Sequence, residues 1–244
     1  MPDAHIIELD LTDSTNNYAM QLIDGNKAHP GLTIVANQQT AGKGQRGRTW
    51  VDIPGQSLLM SMIIAPKHTL AEQFLFNAAV ATAIVNELQQ LHDTWQVQVK
   101  WPNDIIINDK KAGGILIENV LRGSNWSYAV IGLGLNILQP SFPAELPHAT
   151  SLKAASGKDF DRRTILNALR EAIFYATSFP KDAATLLKDY NALLFRRGQQ
   201  QVLLEDDQPV NTTILHANAD GTLAVQLEDG TIKNYVHGQA VWAY

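Results

Sequence analysis

The segment Gly42-Lys43-Gly44-Gln45-Arg46-Gly47-Arg48-Thr49-Trp50 gathers three cations and three glycines in an otherwise acidic chain. Glycine lets the backbone turn left-handed and lets a ligand come close, while the cations are charge-assisted donors, so the segment predicts a cradle for phosphate or carboxylate. Its Gly42-x-Gly44-x-x-Gly47 spacing matches the dinucleotide fingerprint only formally. That motif opens a helix and has an acidic residue about 20 positions on, whereas Val51-Asp52-Ile53-Pro54-Gly55 continues as loop. The P-loop spacing is absent, and a surface turn with solvated charges is the alternative reading.

Three other segments could carry chemistry. Lys100-Trp101-Pro102-Asn103-Asp104 reads either as a strand break with Trp101 in the core or as a functional turn in which Asp104 binds a metal ion or orients an amine nucleophile. Lys110-Lys111-Ala112-Gly113-Gly114-Ile115-Leu116 enters an apolar strand; Lys110 reads as a solvated hairpin tip after Asn108-Asp109, and Lys111 as a lysine needing an anionic partner. Gly132-Leu133-Gly134-Leu135-Asn136 lets another backbone pack closely and ends on an asparagine that must be hydrogen-bonded if buried.

The frame that must position them is a chain of 244 residues with 19 basic and 24 acidic side chains, a net charge of −5 and 45% apolar residues. Such a chain can form one large domain plus a small one. The acidic balance argues against extended nucleic-acid binding, and the absence of cysteine excludes disulfides, thiolate metal sites and cysteine nucleophiles. The start, Met1-Pro2-Asp3-Ala4-His5, lacks the features of a leader peptide, and no apolar run approaches the roughly 18 residues of a membrane span. A cytoplasmic protein without nucleic-acid or membrane partners is expected.

Apolar runs predict strands at Ile6 to Leu11, Leu32 to Ala36 and Ser57 to Ala65, the last buried on both faces. Asp13 or Ser14 is placed to cap a short helix through about Ile23. Thr69-Leu70-Ala71-Glu72 has capping-box spacing, and Leu70, Phe74, Ala78, Ala81, Ile84, Val85, Leu88 and Leu91 recur at helical intervals. Further strands are predicted around Val97 and Val99, from Asp104 to Asn108, Ile115 to Val120 and Tyr128 to Ile137, and helices over Asp161 to Phe179 and Lys181 to Leu194. Short turns between the strands favour α+β over a doubly wound parallel sheet. After Arg196-Arg197-Gly198 five short runs follow, at Gln201 to Leu204, Thr212 to Leu215, Thr222 to Leu227, Ile232 to Val236 and Gln239 to Trp242. With hairpin signals at Asp220-Gly221 and Asp229-Gly230, they predict a small β-barrel. His237-Gly238-Gln239 reads as a turn.

Taken in order, these segments resemble the biotin protein ligase family. That family carries Ser-Thr-Asn, a glutamine before a Gly-Arg-Gly-Arg-Arg-Gly-Arg loop, Lys-Trp-Pro-Asn-Asp, Lys-x-Gly-Gly-Ile-Leu or Lys-x-Ala-Gly-Ile-Leu, and Gly-x-Gly-x-Asn. Here they read Ser14-Thr15-Asn16, Gln39, Gly42 to Arg48, Lys100 to Asp104, Lys111 to Leu116 and Gly132 to Asn136. The resemblance covers about residues 5 to 140 by motif and the rest by layout. It implies a catalytic domain over 1–195, α+β, with a class II aminoacyl-tRNA synthetase-like mixed sheet and flanking helices, and a small src-homology-3-like β-barrel over 196–244.

The activity implied is a ligase that activates biotin with ATP as biotinyl-5′-adenylate, releasing pyrophosphate, and transfers it to a lysine of a biotin carboxyl carrier domain. By the same resemblance Ser14, Thr15, Asn16 and Gln39 would hold the ureido head, with Lys43, Gly44, Gln45 and Gly113 also around biotin. Lys111 would bridge the biotin carboxylate and the α-phosphate, Arg46 and Arg48 would hold phosphates, and Asp104 would position or deprotonate the incoming lysine. Trp50, Lys100, Asn103 and Asn136 would line the ATP site, with Mg²⁺ near Asn136 and no certain metal ligand. Lys111, Arg48 and Asp104 form the implied catalytic set.

Two departures stand out. Lys43 and Gln45 replace arginines common in the family, which predicts looser retention of the adenylate. There is no room before Ile6 for a helix-turn-helix domain, so no repressor role is expected. The alternatives are a lipoate or octanoate ligase or transferase of the same fold, and a non-catalytic module binding biotin or a carrier domain. The oligomeric state stays open, a homodimer included.

Overall fold

The structure is a computed structural model describing residues 5–243. Met1 to Ala4, read above for a targeting signal, and Tyr244 lie outside the described residues. The chain runs β1 (Ile6–Thr12), α1 (Thr15–Asp24), β2 (Thr33–Gln39), β3 (Ser57–Ile64), α2 (Gln73–Gln89), β4 (Val97–Lys100), β5 (Asp104–Ile107), β6 (Lys110–Arg122) and β7 (Asn125–Asn136). It continues through α3 (Leu152–Ser156), α4 (Arg162–Ser178), α5 (Ala183–Ala192), β8 (Gln200–Glu205), β9 (Gln208–Ala217), β10 (Leu223–Leu227), β11 (Ile232–Tyr235) and β12 (Ala240–Trp242).

The first seven strands form one mixed sheet in the order β1-β2-β3-β7-β6-β5-β4. Only β1 and β2 pair parallel, because α1 carries the chain back between them; short turns make every other pair antiparallel. All eight residues of β3 are buried, which its apolar run demands of a central strand covered on both faces. Alternation divides the core. Ile63 and Val130 join Ala19 and Ile23 of α1, while Met62, Ile64 and Ile131 join α2, α4 and α5 on the other side. α2 is buried nearly all round, from Leu75 to Leu88, as a helix lying between a sheet and two other helices must be.

The C-terminal strands form a separate five-stranded antiparallel sheet, β11-β10-β9-β8-β12. Asp220-Gly221 and Asp229-Gly230 turn its hairpins, each Asp accepting a hydrogen bond from the backbone N–H two residues on and each Gly taking a positive φ.

Several boundaries differ from the sequence reading. Thr69 donates both its N–H and its hydroxyl to the Glu72 carboxylate, but the cap closes a 3-10 turn over Leu70–Glu72, and the α-helix starts only at Gln73. Ser14 occupies the cap position of α1 without a side-chain bond, while Asp13 accepts from the Asn17 amide, which holds its carboxyl below the usual range. β6 and β7 are longer than their apolar runs because pairing continues from Gly113↔Leu135 to Arg122↔Asn125. β9 begins at Gln208 rather than Thr212, since Asp206 and Asp207, both at positive φ, make a two-residue hairpin turn. The short α3, capped by the Ser151 hydroxyl, had no periodic signal, and α5 is trimmed to Ala183–Ala192 by its Asp182 cap.

Candidate active site

The glycine segment folds into a small hairpin rather than an open loop. Gly44 N–H donates to Arg48 O and Trp50 N–H to Gly42 O, at 2.7 and 2.9 Å, and the turn between them holds Arg46 and Gly47 at positive φ. Behind it lies a cavity of about 370 Å³. Trp50 is folded inward: its indole lies against the Cα of Gly134, where a Cβ would stand 2.6 Å from the ring. Gly132, two residues earlier on the same strand face, leaves the space filled by the Asn16 side chain. Side chains from α1 and from the hairpin can thus lie directly on the sheet because β7 carries glycine at both positions.

At the Gly132 end sits a cluster of hydroxyls and amides. Thr15 donates its N–H and hydroxyl to Gln39 Oε1 at 2.8 and 3.2 Å. The Ser61 Oγ lies 2.7 Å from Thr15 Oγ1 and 2.6 Å from Asn16 Oδ1. One hydroxyl proton serves one acceptor at a time, so one oxygen is left for a ligand donor. The Asn16 amide donates to Glu118 at 2.7 Å, and Glu118 also pairs Lys43 of the hairpin at 3.3 Å.

At the Gly114 end the chemistry is ionic. Asp104 holds Lys111 at 2.7 Å with one carboxylate oxygen and Lys100 at 3.3 Å with the other. Lys111 keeps 38% of its side chain exposed against 10% for Lys100, so Lys111 is the ammonium able to meet a ligand. Two ammoniums on one carboxylate suit an electrostatic tether and oppose a metal ion there.

Ser14, Thr15, Asn16, Gln39, Lys43, Gly44 and Gln45 line this cavity, as do Arg46, Arg48, Trp50, Lys100, Asn103, Asp104 and Lys111. Gly113 and Asn136 do not. Gly113 is glycine because a Cβ would press on Gly134 O at 2.8 Å. Asn136 is buried with its amide donating to Thr150 O and its oxygen accepting from Gln139, at 3.0 and 3.4 Å. With its amide taken up by Thr150 and Gln139, no carboxylate bonded to it among the described residues, and no place in the cavity wall, Asn136 does not fit a Mg²⁺ ligand. Trp101 is buried in the core as the strand-break reading expects, and it also lines the cavity and donates its indole N–H to Gly221 O at 3.1 Å.

Ser61, Glu118 and Trp242 carry no site expectation from the sequence, and His237 reads from it only as part of a turn. Ser61 and Glu118 were polar interruptions of apolar strands, a signal that could have found them. Arg46 donates to His237 O at 3.0 Å, and its guanidinium occupies the space a Cβ on Gly238 would need. Trp242 stands 5.9 Å from the Lys100 ammonium. The second sheet therefore closes one side of the cavity.

The model of the biotin/lipoate A/B protein ligase family matches residues 8–136. A bifunctional ligase/repressor of Bacillus spizizenii is 38% identical over 165 residues, 66% of this chain and 50% of that protein. A biotin–[acetyl-CoA-carboxylase] ligase of Paracoccus denitrificans is 32% identical over 66% of this chain and 68% of its own length. The chain spans about half the length of the bifunctional relatives it matches. Among solved structures, the biotin protein ligase of Aquifex aeolicus in complex with biotin and ATP shares the fold, with a TM-score of 0.78, 24% identity and 98% of each chain covered.

Proposed function

The chain belongs to the biotin/lipoate A/B protein ligase family, and we propose that it is a biotin protein ligase that forms biotinyl-5′-adenylate and passes biotin to a lysine of a biotin carboxyl carrier domain. The observation that carries this reading is the order of groups along one wall. Asn16 lies over Gly132, Trp50 over Gly134, and Lys111 beside Gly114, which pairs with Gly134. A ligand with a hydrogen-bonding head, an apolar chain and a terminal carboxylate fits that succession.

In the first step a biotin carboxylate oxygen attacks the α-phosphorus, the bond to the β-phosphate oxygen breaks, and pyrophosphate leaves. Two anions must approach, so Lys111, with Arg46 and Arg48, stabilises the charge that gathers between them. The hairpin closes over the adenylate and keeps water from the mixed anhydride. In the second step the carrier amine attacks the biotinyl carbonyl, a C–N bond forms, and AMP leaves. Division into a ligase domain over 1–195 and a smaller domain over 196–244 is supported by the two separate sheets.

The hydroxyl and amide cluster favours biotin over lipoate or octanoate. A ureido group has donors and acceptors for it, whereas an apolar head would leave Asn16 and Thr15 without ligand partners. The lysine, arginines and aspartate at the far end favour catalysis over simple capture, because holding biotin alone needs no phosphate-binding cations. The test is ATP-dependent pyrophosphate release with biotin, lipoate or octanoate, then label transfer to a carrier domain. Release with lipoate and not biotin would redirect the assignment; no release with any acid would contradict it.

A further inference from the structure

We propose that His237 is the proton acceptor for the carrier lysine in the second step, which rests on the ligase reading above. His237 sits in the turn between β11 and β12, outside every segment that pointed to the active site. It lines the cavity and also the adjoining groove formed by Phe74, Asn77, Pro102, Ile117 and Gly221, so a side chain entering by that groove passes the imidazole. Its ring stands edge-on to Trp101 at 5.8 Å and makes no hydrogen bond among the described residues, which leaves its nitrogens available.

An amine attacks an acyl carbonyl only after it has lost a proton. Asp104 is poorly placed to take it, since its two oxygens already hold the ammoniums of Lys111 and Lys100. A neutral imidazole carries no such partner. Partial shielding by the protein, then Arg46 and Arg48, pull the His237 pKa below the usual histidine value, and Asp104 opposes them. The charged groups facing the ring are Arg46 and Arg48 of the hairpin and Asp104 with its two lysines, while Asp220 shares the groove. The lowered pKa favours the neutral imidazole, and the exposure of the side chain gives the accepted proton a way out. In the step itself the carrier ammonium first gives one proton to His237, the neutral amine nitrogen then bonds to the biotinyl carbon, the carbon–phosphate oxygen bond breaks with its electron pair going to AMP, and the second nitrogen proton leaves to water.

The experiment is single-turnover transfer from preformed biotinyl-adenylate on wild type and His237→Asn, to a carrier lysine and to hydroxylamine, which is already unprotonated at neutral pH. The expected result is a loss of about a hundredfold toward lysine with little loss toward hydroxylamine. Imidazole should restore transfer in His237→Gly. The wild-type rate toward lysine should fall as pH drops through an inflection absent from His237→Asn. Equal losses toward both nucleophiles, or the same inflection in the variant, would overturn the assignment. A wild type that forms no adenylate would instead sink the ligase reading.

Discussion

The Lys111 ammonium is held 2.7 Å from Asp104, and the same carboxylate holds Lys100. This arrangement holds a partly exposed cation at the cavity wall. Asp104→Asn removes the charge both lysines share, and losing bonds to charged groups should cost about 2 kcal/mol of stability. Urea unfolding checks this; an unchanged midpoint would show that the tether contributes nothing to folding.

Gly134 has no side chain because the Trp50 indole occupies that space. In Gly134→Ala the methyl group forces the indole off the sheet, an overpacking expected to cost about 1–3 kcal/mol. The cavity wall moves with it. Thermal unfolding together with intrinsic tryptophan fluorescence should show a lower midpoint and an altered Trp50 environment, and biotin should protect the variant less than wild type.

Ser61 and Glu118 do not line the cavity, yet they fix the Thr15 and Asn16 side chains that do. Ser61→Ala and Glu118→Gln should each weaken biotin binding about tenfold, roughly 1.4 kcal/mol. Calorimetric titration with biotin measures this. Unchanged affinity in both variants would mean that the cluster does not bind the ureido head.

How far the sequence could be read depended on the range of the interaction. The burial of β3, the body of α2 and the Asp-Gly hairpins followed from local pattern, and the ordered motifs pointed to Lys111 and Asp104. Ser61 was not legible because its role depends on register: it pairs opposite Gly132, which brings it to Asn16 of a helix some 45 positions earlier in the chain. The Arg46 to His237 bond spans 191 positions, and nothing local to either residue announces it. Asn136 misled for the complementary reason: it ends a strand whose glycines serve the site, while its own amide satisfies Thr150 and Gln139.

Gln45 lines the cavity where arginine is common in the resembling family. Gln45→Arg places a bidentate donor at the cavity and should slow release of the proposed intermediate severalfold. A stopped chase with unlabelled biotin measures the release rate. Equal rates in variant and wild type would assign adenylate retention to the rest of the hairpin.

In the proposed reaction Lys111 brings a biotin carboxylate and the α-phosphate together. Pyrophosphate release from ATP, with and without biotin, in wild type and Lys111→Ala tests it most directly. Wild type should release pyrophosphate only with biotin, and Lys111→Ala should be slower by about 100-fold to 1,000-fold while remaining folded. Full activity in Lys111→Ala would contradict that role for Lys111.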